Sequence, residues 1–463
     1  MRRTYVLAFA FLAGCPETGG DAALDQSWID ASGPDAAPIP PDAFDMDAPS
    51  VIDADLDARG LDATSMDVLL DTRDTGTLDM DTAGLDASAR DALAGPEIGV
   101  DRWSAGTLTA LPARGELLPL PGGGVGGPVL TSNNPEVFTG EGLLYGNARP
   151  SPTRGGEAHE LSGDFGVYLH HVNQTGARAY VWLLVTNPGA SDVTVSAEGS
   201  GYDQTETGGL GLGSSPDYRV SAEWIRGTPD TVVAPTSLAP ARPLVIYRED
   251  VNDRAELDGR FAIHTSAPVY VYVVTTAIDD VNEAIRLSRT DAAGDYRVSG
   301  RPPPPYGREC GVYAHDTWAA RFDVAVPSGP SHVGFMVNTA TGSGFSQVQA
   351  FPALAHYDES AAESVGMYGN VYDLDVGLVH DGTGGTRRVR VLFHSLASGA
   401  ASRYWDGLSL VDGREVVVRH VPGSVSTTLA ELDLAPGETT RVHFRAMVPG
   451  LASIPQALTI ESD

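Results

Sequence analysis

The sequence predicts an all-β protein: two β-sandwich domains of immunoglobulin-like character behind a disordered acidic linker. Three observations carry this. After residue 98, runs of four to eight residues rich in Val, Tyr, Phe and Thr recur, which is strand chemistry. Gly, Pro, Asn and Asp separate them as turn signals. Apolar residues at helical spacing are scarce, with one short helical turn expected over 359–365. The 463 residues suffice for two or three domains. The expected divisions are a signal peptide over 1–15, a linker over 16–97, a first sandwich over 98–300 and a second over 301–463.

The chain opens with Met1-Arg2-Arg3, an apolar run from Tyr5 to Ala13, and Gly14-Cys15. A charged start before an apolar stretch well short of the ~20 residues of a membrane span is a secretory signal. The flanks of Arg2-Arg3 fit the twin-arginine export motif poorly, so the pair is read as a plain charged start. Leu12-Ala13-Gly14-Cys15 resembles the bacterial lipobox, where small residues admit the signal peptidase and the Cys sulfur receives diacylglycerol. Two or more acyl chains anchor a protein stably where one does not. The expectation is a membrane partner reached through covalent lipid at Cys15, in the cell envelope. Pro16 in place of Asp favours the outer membrane, on either its periplasmic or its surface face.

Residues 16–97 hold eighteen Asp and two Glu against Arg59, Arg73 and Arg90, a net of −17 within a chain total of −31. Few aromatics, scattered Pro and dense like charge leave too little apolar surface to offset the entropy of ordering. The segment is expected to be disordered and extended by self-repulsion, averaging roughly 50 Å end to end as a flexible coil. Asp53-Ala54-Asp55-Leu56-Asp57 resembles the start of a calcium loop, but Ala58 and Thr64 occupy the positions where that loop needs Gly and Glu. It reads as solvated spacer.

All thirty basic residues are Arg and none is Lys, a bias that GC-rich bacterial coding produces. So acidic a chain repels phosphate backbones, which excludes nucleic acid as a partner. With Cys15 lipidated, Cys310 has no intramolecular partner: it is a free thiol or pairs between chains, and it reads first as an inert buried thiol.

The strand signals run in order through Val167–Val172, Tyr180–Val185, Val193–Ala197, Pro243–Tyr247, Val269–Thr275, Val333–Val337, Val389–Phe393, Glu415–His420 and Thr440–Phe444. Turns are marked at Asn187-Pro188-Gly189, Asp381-Gly382, Asp412-Gly413 and Pro436-Gly437. A repeat is legible. Gly163-Asp164-Phe165 leads into the strand at 178–185, as Gly369-Asn370-Val371 leads into the strand at 387–393. Leu238-Ala239-Pro240 answers Leu434-Ala435-Pro436, and the closing strand 261–266 answers 457–462. Arg301-Pro302-Pro303-Pro304-Pro305 reads as a stiff spacer between the two units.

Ser132-Asn133-Asn134-Pro135-Glu136, Glu141-Gly142-Leu143-Leu144, Ala158-His159, Gly163-Asp164-Phe165, His170-His171, Asn187-Pro188 and Tyr368-Gly369-Asn370 are similar to an uncharacterised family best known from cyanobacteria, the domain of unknown function 3370. The resemblance spans most of 115–463. It implies an exported β-rich protein and carries no known activity, so it lends no catalytic residues.

No catalytic, metal or cofactor constellation stands out. His170 and His171, with His159 nearby, form the densest histidine group, but adjacent strand residues face opposite ways and cannot share one metal. Gly122–Gly127 lacks the Lys and helix of a phosphate loop and reads as a flexible loop. Asn173-Gln174-Thr175 is a sequon without consequence in a bacterium. Trp318, Tyr404 and Trp405, with Trp224, are the candidates for a stacking platform that binds sugars. The function expected first is a non-enzymatic envelope module that binds a glycan or protein, or that organises the surface. The alternative is a polysaccharide hydrolase using carboxylates among Asp316, Asp323, Asp358, Glu359, Asp373 and Asp375, the last two near 7 Å apart on one strand face.

Overall fold

The computed structural model describes residues 106–107, 115–148, 151, 153–204, 215–296, 308–326, 331–338, 349–396, 405–421, 424–452 and 455–462. Cys15, the linker, the polyproline segment and Tyr404 lie outside the described residues.

The strands are β1 (Gly106–Thr107), β2 (Gly115–Leu118), β3 (Gly123–Val125), β4 (Val129–Ser132), β5 (Val137–Phe138), β6 (Gly142–Gly146), β7 (Leu161–Asn173), β8 (Ala179–Thr186) and β9 (Val193–Asp203). After helix α1 (Pro216–Arg226) come β10 (Thr231–Leu238), β11 (Pro243–Val251) and β12 (Glu256–Thr276), then helix α2 (Val281–Leu287). The chain continues through β13 (Cys310–Tyr313), β14 (Thr317–Ala325), β15 (Ser331–Val337), β16 (Phe351–His356), β17 (Glu363–Ser364), β18 (Val371–Val379) and β19 (Arg387–Ser395). It closes with β20 (Trp405–Val411), β21 (Arg414–His420), β22 (Ser426–Leu434), β23 (Thr439–Met447) and β24 (Gln456–Ser462). Each of the nine strand runs read from the sequence lies inside one of these, so the all-β class holds. The helical turn expected over 359–365 does not form: Glu363–Ser364 pairs with Phe351 and Pro352 instead. Among the described residues no helix is long and apolar enough to cross a membrane.

Strand order shows the repeat directly. The first unit has a sheet β10-β9-β12-β7-β4 with β4 parallel to β7; the second has β21-β20-β23-β18-β14 with β14 parallel to β18. Opposite these lie β11-β8-β12-β6 and β22-β19-β24-β15. The first unit's β12 does in one strand what β23 and β24 do in two. Its residues 257–265 pair with β9 and its 270–276 with β8. The ladder of β12 to β7 breaks register between Thr265 and Val269, across Pro268, which cannot donate to a ladder.

The two units exchange strands reciprocally. β3 precedes β4 yet pairs with β14, while β13 precedes β14 and pairs with β4. β2 likewise lies parallel to β15. Both apolar cores therefore draw on both halves of the chain. One core adds Leu118, Leu120, Val129 and Tyr168 to residues of the second unit, and the other adds Cys310, Val312 and Tyr357 to those of the first.

Gly122–Gly127, read from sequence as a flexible loop, is corrected here: Gly123–Val125 is strand β3, and its register to Thr317, Trp318 and Ala319 is fixed. Glycine is needed because a side-chain carbon at Gly124 would lie 2.2 Å from the His315 ring.

Arg154 ties the exchanged segments together. Its Nε donates to Glu359 at 2.6 Å, Nη1 to the Leu144 carbonyl at 2.6 Å and Nη2 to the Asn134 carbonyl at 2.5 Å. The guanidinium lies 4.3 Å from the ring centres of both Tyr296 and Tyr357. Removing one partner from a buried charge network typically costs about 3–5 kcal/mol. Arg154→Ala is expected to lower the denaturant unfolding free energy by about that amount. Arg154→Lys should recover only part of it, because a single ammonium cannot reproduce the planar fork.

Candidate functional site

A groove of about 440 Å³ opens on the outer face of the first unit's sheet. Strand register lays out its floor. Gly166, Ala262, Glu198 and Val232 stand in one row across β7, β12, β9 and β10, and Asp164, His264 and Ser196 form the next. Tyr168, Arg260 and Ser200 form the row on the other side. Small residues at Gly166, Ala262 and Ser196 keep the floor low. From Arg260 to His264 the groove runs roughly 13 Å at the rise of an extended strand.

The walls come from insertions and links. One is the three-residue link between β3 and β4, which supplies Gly127; another is the matching link between β13 and β14, which supplies Asp316. The strand exchange thus brings both crossovers to the groove. Helix α1 supplies Trp224. The helix is well delimited: Ser215 caps its N-terminus by accepting from the Tyr218 N–H, Pro216 occupies the first turn, and Gly227 closes it in the left-handed region at φ 67°. It packs against β9 and β12 of the first unit and β20 and β23 of the second. A bidentate pair from Arg226 to Glu415, 2.7 Å on each arm, fixes its end.

Arg260 closes one end of the groove and is 1% exposed. Its Nε donates to the Gly369 carbonyl at 2.9 Å and its Nη1 to the Phe261 carbonyl at 3.1 Å. The indole of Trp224 lies over the guanidinium at 4.4 Å. Nη2 has no hydrogen-bond partner among the described residues, and neither has the buried Nε1 of Trp224. The nearest counter-charge, Asp316 Oδ2, is 3.6 Å from Nη2. Burial pulls the guanidinium's pKa down to about 10, against the pull of Asp316 and Tyr168, so it stays charged at neutral pH. Space for it depends on Gly166, where a side-chain carbon would lie 2.1 Å from Nη1.

Behind Arg260 the same strand face continues as a buried polar seam. Asp258 accepts from the Tyr168 hydroxyl at 3.0 Å and pairs with His170 Nδ1 at 2.8 Å. Burial opposes a charge on His170, but the hydrogen bond and charge of Asp258, helped by Glu256 and Glu136, overcome it and raise the imidazole to about 10. His171 points the other way. Its Nδ1 donates to the Pro135 carbonyl at 2.8 Å, which leaves Nε2 to accept from Ser132 at 2.9 Å. Burial holds this ring neutral, with a pKa lowered to about 3. His159 joins neither ring; its backbone pairs with Asn147.

The stacking platform expected at Trp318, Tyr404 and Trp405 is corrected. Trp318 is 8% exposed and Trp405 1%, both within the second unit's core. Trp318 Nε1 donates to the Pro121 carbonyl at 2.9 Å, and Trp405 packs edge-on against Phe393 at 4.9 Å. Neither presents a face to a ligand, because an alternating strand turns every second large apolar side chain inward. Tyr404 lies outside the described residues. Of the three aromatics considered that are among the described residues, Trp224 alone lines the groove.

Most of the carboxylates weighed for hydrolysis are tied to Arg or His side chains rather than facing each other across a cleft. Asp373 holds His443 at 2.5 Å, Asp375 and Asp323 each accept from Arg441 at 2.7 Å, and Glu359 is bound to Arg154. Only Asp316 of that set lines the groove. Cys310 is fully buried, and burial foremost pushes its thiol up to about 12. The Asn173 amide donates inward to the Ala177 and Val251 carbonyls. Among the described residues, no group of three or more His, Cys, Asp or Glu is placed to hold a metal.

Residues 115–208 match the model of a family described as a protein of unknown function, DUF3370. No curated protein matches the chain. Among solved structures, the N-terminal CBM22-1–CBM22-2 tandem domain of Paenibacillus barcinonensis Xyn10C is 9% identical with a TM-score of 0.14, over 70% of this chain and 99% of that one. The PBSX exported protein XepA is 8% identical with a TM-score of 0.12, over 66% and 84%. The complex of plant peptide RALF23 with FER and LLG2 is 9% identical with a TM-score of 0.14, over 74% and 96%.

The His170–Asp258 pair makes stability depend on pH. A histidine raised in the folded state stabilises fully below its unfolded value near 6.5, and the contribution is lost as pH climbs through the folded value of about 10. Urea unfolding of the native chain and of His170→Gln across pH 6–10 should show the two differing most at pH 6 and converging toward pH 10. A constant difference would contradict a charged His170.

Proposed function

We propose that this chain is a lipid-anchored protein of the bacterial envelope whose β-sheet body binds a glycan in the groove beside Arg260, without catalysing a reaction on it. The observation that carries the binding reading is the groove's mixture of groups. Asp164, Glu198 and Asp316 offer acceptors, Arg260 and His264 offer donors, and an indole stands at one end of a floor of small side chains. Hydroxyl groups of a sugar both donate and accept, so they answer such a mixture, while pyranose faces pack on indole and alanine surface. A phosphate or other strong anion meets three carboxylates and is repelled. A wholly apolar ligand leaves the polar groups stripped of water and unpaired.

Two observations argue against turnover. Asp164 is held by His264 at 2.7 Å, and Asp316 lies beside Arg260. Glycoside hydrolysis wants two opposed carboxyls facing the scissile bond, and Asp164 and Asp316 are each turned to a side chain of the protein instead. The anchoring half of the proposal rests on Leu12-Ala13-Gly14-Cys15 and the acidic stretch behind it. A charged leash of that length would hold the groove clear of the lipid headgroups.

Two measurements test this. With the purified chain and a panel of envelope and plant oligosaccharides, calorimetry should find a sugar that binds. Trp224→Ala and Val232→Asp should each weaken it at least tenfold. Val232 is 68% exposed, so its variant folds normally and isolates the loss of binding; sugar binding indifferent to both variants removes the groove from the account. For the anchor, mass spectrometry of the mature chain should find a diacylated N-terminal Cys15, with Cys15→Ala shifting from the detergent to the aqueous phase. An unmodified N-terminus that retains residues 1–14 removes the anchor.

A further inference from the structure

We infer that the groove selects sugars carrying an acetamido group, an inference that rests on the glycan reading above. Two donors at the Arg260 end have no acceptor: Nη2 of Arg260 and Nε1 of Trp224. A buried donor left unpaired is costly, and natural structures rarely leave one without a reason. The two belong to neighbouring groups, the guanidinium carbon lying 4.4 Å from the centre of the indole, and we take a single acceptor group to serve both. The same corner also holds an acceptor, on a carboxylate whose side chain is 27% exposed. Asp316 Oδ1 accepts from the Thr317 hydroxyl at 2.9 Å, while Oδ2 faces Nη2 at 3.6 Å, beyond hydrogen-bond reach. The corner therefore asks for one acceptor and one donor, side by side, on a ligand of no net charge.

An acetamido group meets that requirement. Its carbonyl oxygen has two lone pairs, one for each donor, and its N–H can donate to Asp316 Oδ2. Its methyl group packs on Ala262, which lines the groove. The indole of Trp224 is half-buried, and binding in this way requires it to turn so that both donors, buried in the free chain, meet the ligand. A uronate carboxylate supplies the acceptor but adds negative charge beside Asp164, Glu198 and Asp316. A bare hydroxyl satisfies fewer of the unmet groups. A peptide also has neutral amides, but it would add along the open edge of β10, where Pro235 lacks an N–H and the register breaks between Val233 and Thr236. Sites built to hydrogen-bond a group discriminate strongly against analogues lacking it.

The test is calorimetry of the purified chain with five probes: a trimer of N-acetylglucosamine, its deacetylated trimer, cellotriose, a galacturonate trimer and tri-alanine. The N-acetylglucosamine trimer is expected to bind at least tenfold tighter than each of the others. Trp224→Phe, which keeps a ring and deletes Nε1, should erase most of the ratio between the acetylated trimer and cellotriose; a ratio that survives it overturns the donor-pair argument. Cellotriose, the deacetylated trimer or the galacturonate trimer binding as tightly as the acetylated one overturns the inference and leaves the glycan reading standing. Tri-alanine binding tighter than any sugar, or no sugar binding at millimolar concentration, overturns both.

Discussion

A guanidinium cannot shed its proton to escape burial, and that constraint organises the centre of this molecule. Arg260 projects from β12 into a region with almost no access to water, so its N–H groups must find oxygen there. Two of them find it, one on each repeat: the Phe261 carbonyl lies in the first and the Gly369 carbonyl in the second, with the Asp316 carboxylate of the second as the nearest counter-charge. Gly369 can turn its carbonyl toward Arg260 because it sits at φ 76°, a conformation that costs glycine little. The indole of α1 completes the enclosure. One side chain thereby couples three things: the docking of the repeats, the seat of the inserted helix, and the floor of the groove.

The two repeats share a strand order but differ on their outer faces, and the difference coincides with the groove. Between β20 and β21 the chain turns in two residues, Asp412 and Gly413, both at positive φ as a tight hairpin of the primed type requires. Between the corresponding β9 and β10 it makes an excursion that includes α1. On the second repeat's outer face the space is crossed by charge pairs, Asp323–Arg441–Asp375 and Asp373–His443. On the first repeat the corresponding strands carry Gly166 and Ala262, which leave a trough. Exposed ion pairs contribute little stability, and the trough on the first repeat is where the proposed ligand would lie.

The fold was legible to an unequal degree. Strand positions were, because alternation and β-branched residues report on the single strand that carries them. So was the repeat, whose matching pieces were visible at Gly163 and Gly369 and at Leu238 and Leu434. Partners were not: nothing in Gly122–Gly127 says that it pairs with Trp318 nearly two hundred residues on, since glycine carries no side chain to signal a face. Trp318 and Trp405 misled because an aromatic in a strand reads the same whichever way it faces. The site left one signal unused. Glu256, Asp258 and Arg260 alternate with Leu257 and Phe261, a pattern that reads as a solvent-facing edge. All three are instead buried, covered by α1 and the second repeat. Charged residues at every second position that end up inside mark a polar interior, and only the tertiary structure reveals it.

Stability and recognition meet in the same few residues, which is why a donor left unpaired in the folded protein is informative about what binds there. The most direct measurement is hydrogen–deuterium exchange of the full chain with and without a saturating glycan. The account predicts added protection confined to residues 162–167, 196–200, 222–235 and 260–265, with the outer face of the second repeat unchanged. Protection centred on β18 and β23, or on no segment of the first repeat, would contradict it.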